Sequence, residues 1–134
     1  MRKVFTEQVV SASDNLTVDI AIASEAVVYT KSFKLAFGDY FAVSYKATSA
    51  SSTPDIKIEL EQSWTEPTTE GSQDDNWVEP EGMADIETSL TTETQHHKSL
   101  SPATLPLGRF KITGNGSNPS DTTVNIKVHK QEEL

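Results

Sequence analysis

The chain has 134 residues, no cysteine and a formal net charge of −9. This length suits one domain with its own core, so we expect a single domain over residues 1–134. Without cysteine, thiolate nucleophiles, disulfides and zinc–thiolate centres are excluded. No apolar run reaches the roughly 20 residues that span a bilayer, and no apolar segment follows Met1-Arg2-Lys3, so neither a membrane span nor a signal peptide is expected.

The negative charge is concentrated in one part of the chain. Residues 55–93 contain twelve acidic side chains and one basic one, Lys57. Clustered carboxylates repel a phosphate backbone, so direct nucleic-acid binding is not expected. The acidic stretch is either a solvated face that keeps the protein soluble or a face presented to a basic partner or to divalent cations.

The first third of the chain has the composition of β-strands. Residues 3–10 alternate loosely, and residues 1–10 form either a first strand or an N-terminal arm. Further strands are predicted over residues 16–22 and 27–35. Residues 40–47 carry apolar groups at both odd and even positions, which predicts a central strand that is covered on both faces.

The clearest strand signal follows Pro54. Ile56, Ile58 and Leu60 alternate with the charged residues at positions 55, 57, 59 and 61. A period of two fits a half-buried strand and does not fit a helix. This pattern predicts an antiparallel sheet with one face on the core and one in water.

A long polar segment follows this strand. Residues 65–80 are rich in acids, contain Pro67, Gly71 and Pro80, and are bracketed by Trp64 and Trp77. Loops beyond about 12–15 residues are uncommon in compact domains and often have a function. We therefore predict a long acidic loop over residues 65–80, with the two tryptophans as either core residues or interface anchors.

The last third returns to strands. Short strands are predicted within residues 84–100, then a strand over 109–113, a turn over 114–119 and a final strand over 122–129. About seven to nine strands with long polar loops and no long helix predict an all-β fold. The expected architecture is an antiparallel, jelly-roll-like β-sandwich.

The histidines do not form an obvious metal site. His96 and His97 are adjacent, so in a strand they point to opposite faces and do not readily share one ion. His129 is expected to face solvent on the last strand. We therefore predict structural or surface roles for all three.

The acidic loop is the other candidate for metal binding. Asp74 and Asp75, together with Glu70 and Glu79, offer oxygen ligands for calcium, but the order of ligands in an EF-hand loop is absent. No Gly-x-Ser-x-Gly elbow is present, and paired carboxylates occur in any acidic chain. We expect no enzymatic activity, and hence no catalytic residue, cofactor or metal.

Three segments resemble a known class of proteins: residues 38–43 (GDYFAV), residues 54–58 (PDIKI), and residues 109–114 (RFKITG) with Asn118-Pro119 and Asp121-Thr122. Across roughly residues 35–130 the chain resembles small β-sandwich virion proteins of tailed bacteriophages and is similar to capsid decoration (cement) proteins. The resemblance implies a jelly-roll-like fold and a non-enzymatic protein that stabilises the coat lattice. Its partners would be the major capsid protein or other virion proteins, it would form a homotrimer or another homo-oligomer, and it would be made in the host cytoplasm and located in the virion.

Two functions therefore stand as hypotheses. In the first, a decoration protein contacts its partners through Arg2, Lys3, Phe5, Trp64 and Trp77. In the second, the sandwich is a carbohydrate-binding or host-attachment module, which requires exposed aromatic side chains on one face or loop rim.

Overall fold

The computed structural model describes residues 2–13, 17–35, 40–73, 76–79, 84–100 and 105–133, with the backbone alone for residues 2, 3, 40 and 131–133. All regular structure in these ranges is β-strand. No helix in the described part of the chain is long and apolar enough to cross a membrane.

The described residues form ten strands. They are β1 (Arg2–Val9), β2 (Ile20–Ile22), β3 (Val27–Tyr29), β4 (Phe33–Lys34), β5 (Tyr40–Thr48), β6 (Ile56–Ser63), β7 (Glu87–Leu90), β8 (His96–Leu100), β9 (Leu107–Gly114) and β10 (Thr122–Glu133).

The strands build two antiparallel sheets. The first sheet has the order β1-β10-β5-β8, with β2 beside β10, and the second has the order β3-β9-β6-β7, with β4 beside β9. From β8 onward the chain changes sheet at every strand, and the two sheets together have the winding of a jelly roll. The predicted fold class, an all-β antiparallel sandwich, is confirmed.

The strand count exceeds the prediction because one predicted strand is divided. The segment 27–35 is split into β3 and β4 around Thr30, which pairs with Ser11 where the chain leaves β1. There the Lys31 backbone N–H donates to the Val10 carbonyl at 2.9 Å. The N-terminal segment itself is a strand, since β1 pairs with β10 along its whole length.

The core lies between the two sheets. Alternate residues of the long strands point inward and form one hydrophobic cluster, in which Ile58 of β6, Phe110 of β9 and Val128 of β10 are fully buried. Each such side chain contributes roughly 1.5–3 kcal/mol relative to exposure. The alternation predicted from Ile56, Ile58 and Leu60 is therefore the one that builds the core.

The prediction for β5 was wrong in one respect. The strand is central, between β10 and β8, and Phe41, Val43 and Tyr45 are buried. Its second face, however, carries Ala42 and Ser44, which are partly exposed on the outer surface of the sheet. The outer face of β5 does not need a second layer of structure to cover it, because its outward side chains are small.

The outer face of β6 was expected to be wet and is partly covered instead. Glu59 is only 8% exposed. The chain after β6 folds back, and Val78 pairs with Gln62 through two backbone hydrogen bonds of 2.8 and 2.9 Å. The described parts of the long loop therefore cover part of the outer face of the second sheet. As a result, Trp64 and Trp77 differ in how much of each side chain is exposed.

Candidate ligand groove beside Trp64

Trp64 lies on the surface directly after β6. The Ser63 hydroxyl accepts a hydrogen bond from the Thr65 backbone N–H at 3.2 Å and closes a tight turn. Because of this turn the chain leaves the sheet directly after Ser63, and the side chain of Trp64 is not buried in the core. Trp64 is 57% exposed as a result.

A depression of about 220 Å³ lies beside the indole. Leu35, Pro106 and Leu107 form its apolar part, and Lys34 and Glu66 form its polar part. The Leu35 backbone N–H donates to the Pro106 carbonyl at 2.8 Å. This bond joins the segment that follows β4 to the segment that precedes β9.

A second depression of about 420 Å³ continues from the first. The two share Lys34, Glu66 and Leu107, and together they form one groove, which we call the Trp64 groove. The second part is also lined by Glu7, Ser32, Phe33, Glu70 and Lys130.

Hydrogen bonds hold the polar walls of the groove in place. Glu70 accepts from the Ser32 backbone N–H at 2.9 Å and from its hydroxyl at 2.6 Å. The Lys130 ammonium donates to Glu7 at 3.0 Å and to the Lys34 carbonyl at 2.8 Å. The groove thus combines an exposed flat apolar ring with two carboxylates and one ammonium group that hydrogen bonds hold in position.

Trp77 is buried and does not contribute to this surface. It is 7% exposed, and its ring packs against the Arg109 guanidinium at 4.4 Å from the ring centroid. The same guanidinium also lies over the ring of Tyr29, at 4.2 Å from its centroid. The two tryptophans that bracket the acidic segment therefore differ: Trp64 is available to a ligand, and the prediction of Trp77 as a surface contact is corrected.

Arg109 fastens the loop to the second sheet. Its Nε donates to Glu61 at 2.9 Å, and one of its terminal nitrogens donates to the Ser72 carbonyl at 2.6 Å. A planar guanidinium can pack against aromatic rings while it donates to a carboxylate and to a backbone carbonyl in fixed directions, whereas a lysine ammonium has no planar group to pack in this way.

A group of three carboxylates lies near the end of the described loop. Oxygens of Glu59, Glu79 and Asp85 are within 4.8 Å of one another, and Lys57 lies 3.6 Å from Glu59 and 3.8 Å from Asp85. Glu79 is exposed overall, but partial desolvation of its carboxyl group, followed by hydrogen bonds with Asp85 and Glu59, raises its pKa from 4.5 to about 7. These oxygens are of the kind that binds a hard cation, but Lys57 already supplies a positive charge to two of them.

The predicted calcium ligands are not brought together in the described part of the chain. Asp74 and Asp75 lie outside the described residues, and Glu70 is bonded to Ser32 in the Trp64 groove. Only Glu79 joins a carboxylate group, and the sequence contained no spacing signal for its partners because they come from separate strands and loops.

His96 and His97 lie on opposite sides of β8, as predicted. His96 stacks on Tyr45 at a centroid distance of 5.3 Å, and its Nε2 lies 2.7 Å from the Thr92 hydroxyl. His97 is on the outer face, where its Nδ1 lies 2.8 Å from the Ser44 hydroxyl.

His129 is less solvated than predicted. Its Nε2 lies 2.8 Å from the Ser44 hydroxyl and its Nδ1 lies 2.9 Å from the Thr6 hydroxyl. A polar chain Thr6–His129–Ser44–His97 therefore crosses all four main strands of the first sheet. Burial, with smaller contributions from the charges of His97 and Lys127, lowers the pKa of His129 below its ordinary value.

The remaining predicted contact residues lie on β1. Phe5 is exposed, and the side chains of Arg2 and Lys3 are outside the described residues. Glu7, two residues after Phe5, reaches the Trp64 groove. Of the five predicted contact residues, Trp64 alone lines that groove in the described part of the chain.

Comparisons with known proteins give little further information. No family model matches the chain, and no curated protein matches it. Among solved structures, 28 chains match. One of them, described as "CBM4 structure and function", a carbohydrate-binding module, has a TM-score of 0.46 and 16% identity over 89% of this chain and 87% of that chain. A likeness at this level is not an argument for a shared ligand.

Proposed function

We propose that this protein is a non-enzymatic binding module that takes a saccharide in the Trp64 groove. The observation that supports the proposal is the exposed indole of Trp64 at the mouth of a concave, partly apolar surface with polar walls. The second sequence hypothesis expects exposed aromatic side chains on one face or loop rim, and Trp64 is one such side chain.

The expected mechanism is recognition by shape. The indole stacks on the apolar face of a sugar ring, and carboxylates and ammonium groups such as Glu66, Lys34 and Lys130 hydrogen-bond the hydroxyls. Hydrogen bonds to other groups already hold Glu70 and Lys130 in place. Binding therefore costs little side-chain conformational entropy at these two residues. No bond of the saccharide is broken.

The test is calorimetric titration and affinity electrophoresis against a panel of soluble glucans, xylans, mannans and galactans. Trp64→Ala should weaken binding about fivefold or more, because the loss of an aromatic anchor costs more than about 1 kcal/mol. Trp64→Phe should retain part of the affinity. Val27→Ala, at another exposed apolar residue away from the groove, is the matched control and should bind as the wild type does.

Fluorescence gives a second measurement. In a Trp77→Phe variant, Trp64 is the remaining tryptophan, so quenching or a blue shift on adding saccharide reports on the groove itself. If no polysaccharide in the panel binds the wild type, or if Trp64→Ala binds as tightly, the proposal is wrong.

The capsid decoration function is kept as a second candidate. It rests on the resemblance of the sequence segments given above and on the jelly-roll winding, which viral capsid and lectin domains share. It predicts co-purification with virions and their major capsid protein and loss of particle stability on deletion. Absence of the protein from purified particles would exclude it.

A further inference from the structure

The first sheet ends in a long and regular edge. β1 has eight residues, and each is paired with β10 in an unbroken register from Arg2↔Glu133 to Val9↔Ile126. In the described part of the chain no strand pairs with its other side. That side is a template for another strand, because half of the backbone N–H and C=O groups point along it.

The other sheet edges are short or irregular. β8 has five residues, β7 has four and a register shift against β6, and β3 has three. Short strands and bulges are devices that prevent edge-to-edge pairing. β1 has neither device, contains no proline or glycine, and leaves Val4 58% exposed.

Charge is the protection that β1 does have. The Glu7 carboxylate accepts from Lys130 of the same copy but is still about half exposed, and the order of the charges on β1 suits a second copy. Lys3 precedes Glu7 by four residues, with Phe5 midway between them. Opposite residues of antiparallel strands point to the same face, so a continuous sheet requires even residues to face even ones and odd residues to face odd ones. Pairing centred on Phe5 meets this condition and sets Lys3 of each copy opposite Glu7 of the other, twice per dimer.

We propose that β1 pairs antiparallel with β1 of a second copy of this chain, in the register centred on Phe5. The first sheets of the two copies then become one continuous sheet through β8-β5-β10-β1 and its symmetry mate. A two-fold edge pairing is closed at two copies. The expected assembly is therefore a dimer, which falls within the homotrimer or other homo-oligomer that the phage resemblance implies.

The test uses sedimentation velocity with four forms of the full chain: wild type, Lys3→Glu, Glu7→Lys and the double variant with both changes. At a concentration on the order of 100 µM, where micromolar association is populated, the wild type should sediment as a dimer. Each single variant places two like-charged pairs across the edge and should sediment as a monomer. The double variant restores both opposite-charge pairs and should dimerise again.

Mixing separates the proposal from a general loss of folding. An equimolar mixture of Lys3→Glu and Glu7→Lys has opposite charges at both positions, so a heterodimer should form from two monomeric variants. Circular dichroism and thermal unfolding check that each variant is folded. A monomeric or trimeric wild type, single variants that remain dimers, or a mixture that stays monomeric would overturn the proposal, whatever the saccharide measurements show.

Discussion

Arg109 is the largest fully buried side chain in the described part of the chain, and its charge is matched on every side. The rings of Tyr29 and Trp77 pack against the guanidinium, while Glu61 and the Ser72 carbonyl accept its hydrogen bonds. Removing one partner of a buried ion pair costs more than the pair contributes, because the remaining charge is left without compensation.

Replacing Arg109 should therefore release the loop from the second sheet. We expect Arg109→Ala to lower the free energy of unfolding by about 3 kcal/mol, measured by urea denaturation. Arg109→Lys should recover only part of the loss, since an ammonium has no planar group to pack against the rings of Tyr29 and Trp77. A lysine variant as stable as the wild type would show that charge alone, and not the planar fork, holds the loop.

Glu79 makes stability depend on pH in the opposite sense to most carboxylates. In the unfolded chain it titrates near 4.5, whereas partial desolvation and the hydrogen bonds with Asp85 and Glu59 raise the folded pKa to about 7. Between these values the folded state holds a proton that the unfolded state has lost. The free energy of unfolding therefore falls as the pH rises through this window.

Glu79→Gln should remove this dependence. The variant and the wild type should be equally stable near pH 4.5, and at pH 8 the variant should be more stable by about 1 kcal/mol, a modest figure because solvent reaches the exposed Glu79. Urea unfolding across this pH range is the measurement. Glu66→Gln, outside the carboxylate group, is the control, and parallel curves for wild type and Glu79→Gln would contradict the assignment.

At the scale of elements, the last residue of β9, Gly114, lies very close to the backbone that leads into β3. The Gly114 N–H donates to the Ala26 carbonyl at 2.8 Å, and a Cβ at this position would lie 2.2 Å from the Ala23 carbonyl oxygen. That oxygen belongs to the backbone leading into β3, so it cannot move without displacing the strand. Position 114 therefore requires glycine because any larger residue would clash, and not because of its backbone dihedral angles.

Gly114→Ala should therefore lower the free energy of unfolding by about 3 kcal/mol through overpacking. Gly116, two residues later in the same turn, is a matched control because a Cβ there would meet nothing within 4 Å. Gly116→Ala should change stability by less than about 0.5 kcal/mol. Equal effects of the two substitutions in thermal or urea unfolding would rule out the steric explanation.

The strands were predictable where one face is buried and the other is wet. Ile56, Ile58 and Leu60 in β6 and Phe110 and Ile112 in β9 follow the period of two and lie in the core. The short strands β2, β3 and β4 were poorly predicted, since a periodic pattern cannot be recognised in only two or three residues. Their pairing is decided by distant partners such as Ser11 opposite Thr30.

The candidate groove was predictable only through Trp64. A tryptophan directly after a strand and before a polar loop is a local signal, whereas Lys34, Leu107 and Lys130 come from three different strands. Nothing in the sequence separates Trp64 from Trp77. Burial of Trp77 depends on Arg109, which lies 32 residues further along the chain.

At the scale of the whole molecule, the acidic stretch is not a uniform solvated face. Glu59 is buried, Glu61 pairs with Arg109, and Glu70 is bonded to Ser32. These carboxylates attach the described parts of the loop to the sandwich, which leaves Trp64 displayed at the point where the loop begins. Net charge alone therefore does not distinguish carboxylates that hold the loop in place from carboxylates that face solvent.

The polar chain across the first sheet also links the tautomers of two histidines. A neutral imidazole carries one N–H, and the Ser44 hydroxyl has a single proton to donate. When Ser44 donates its proton to His129 Nε2, it accepts from His97 Nδ1, and His129 donates from Nδ1 to Thr6; when Ser44 donates to His97 instead, both rings carry the proton on Nε2. In each of these two arrangements His97 and His129 share one tautomer, a correlation that nitrogen chemical shifts would reveal and that Ser44→Ala would abolish.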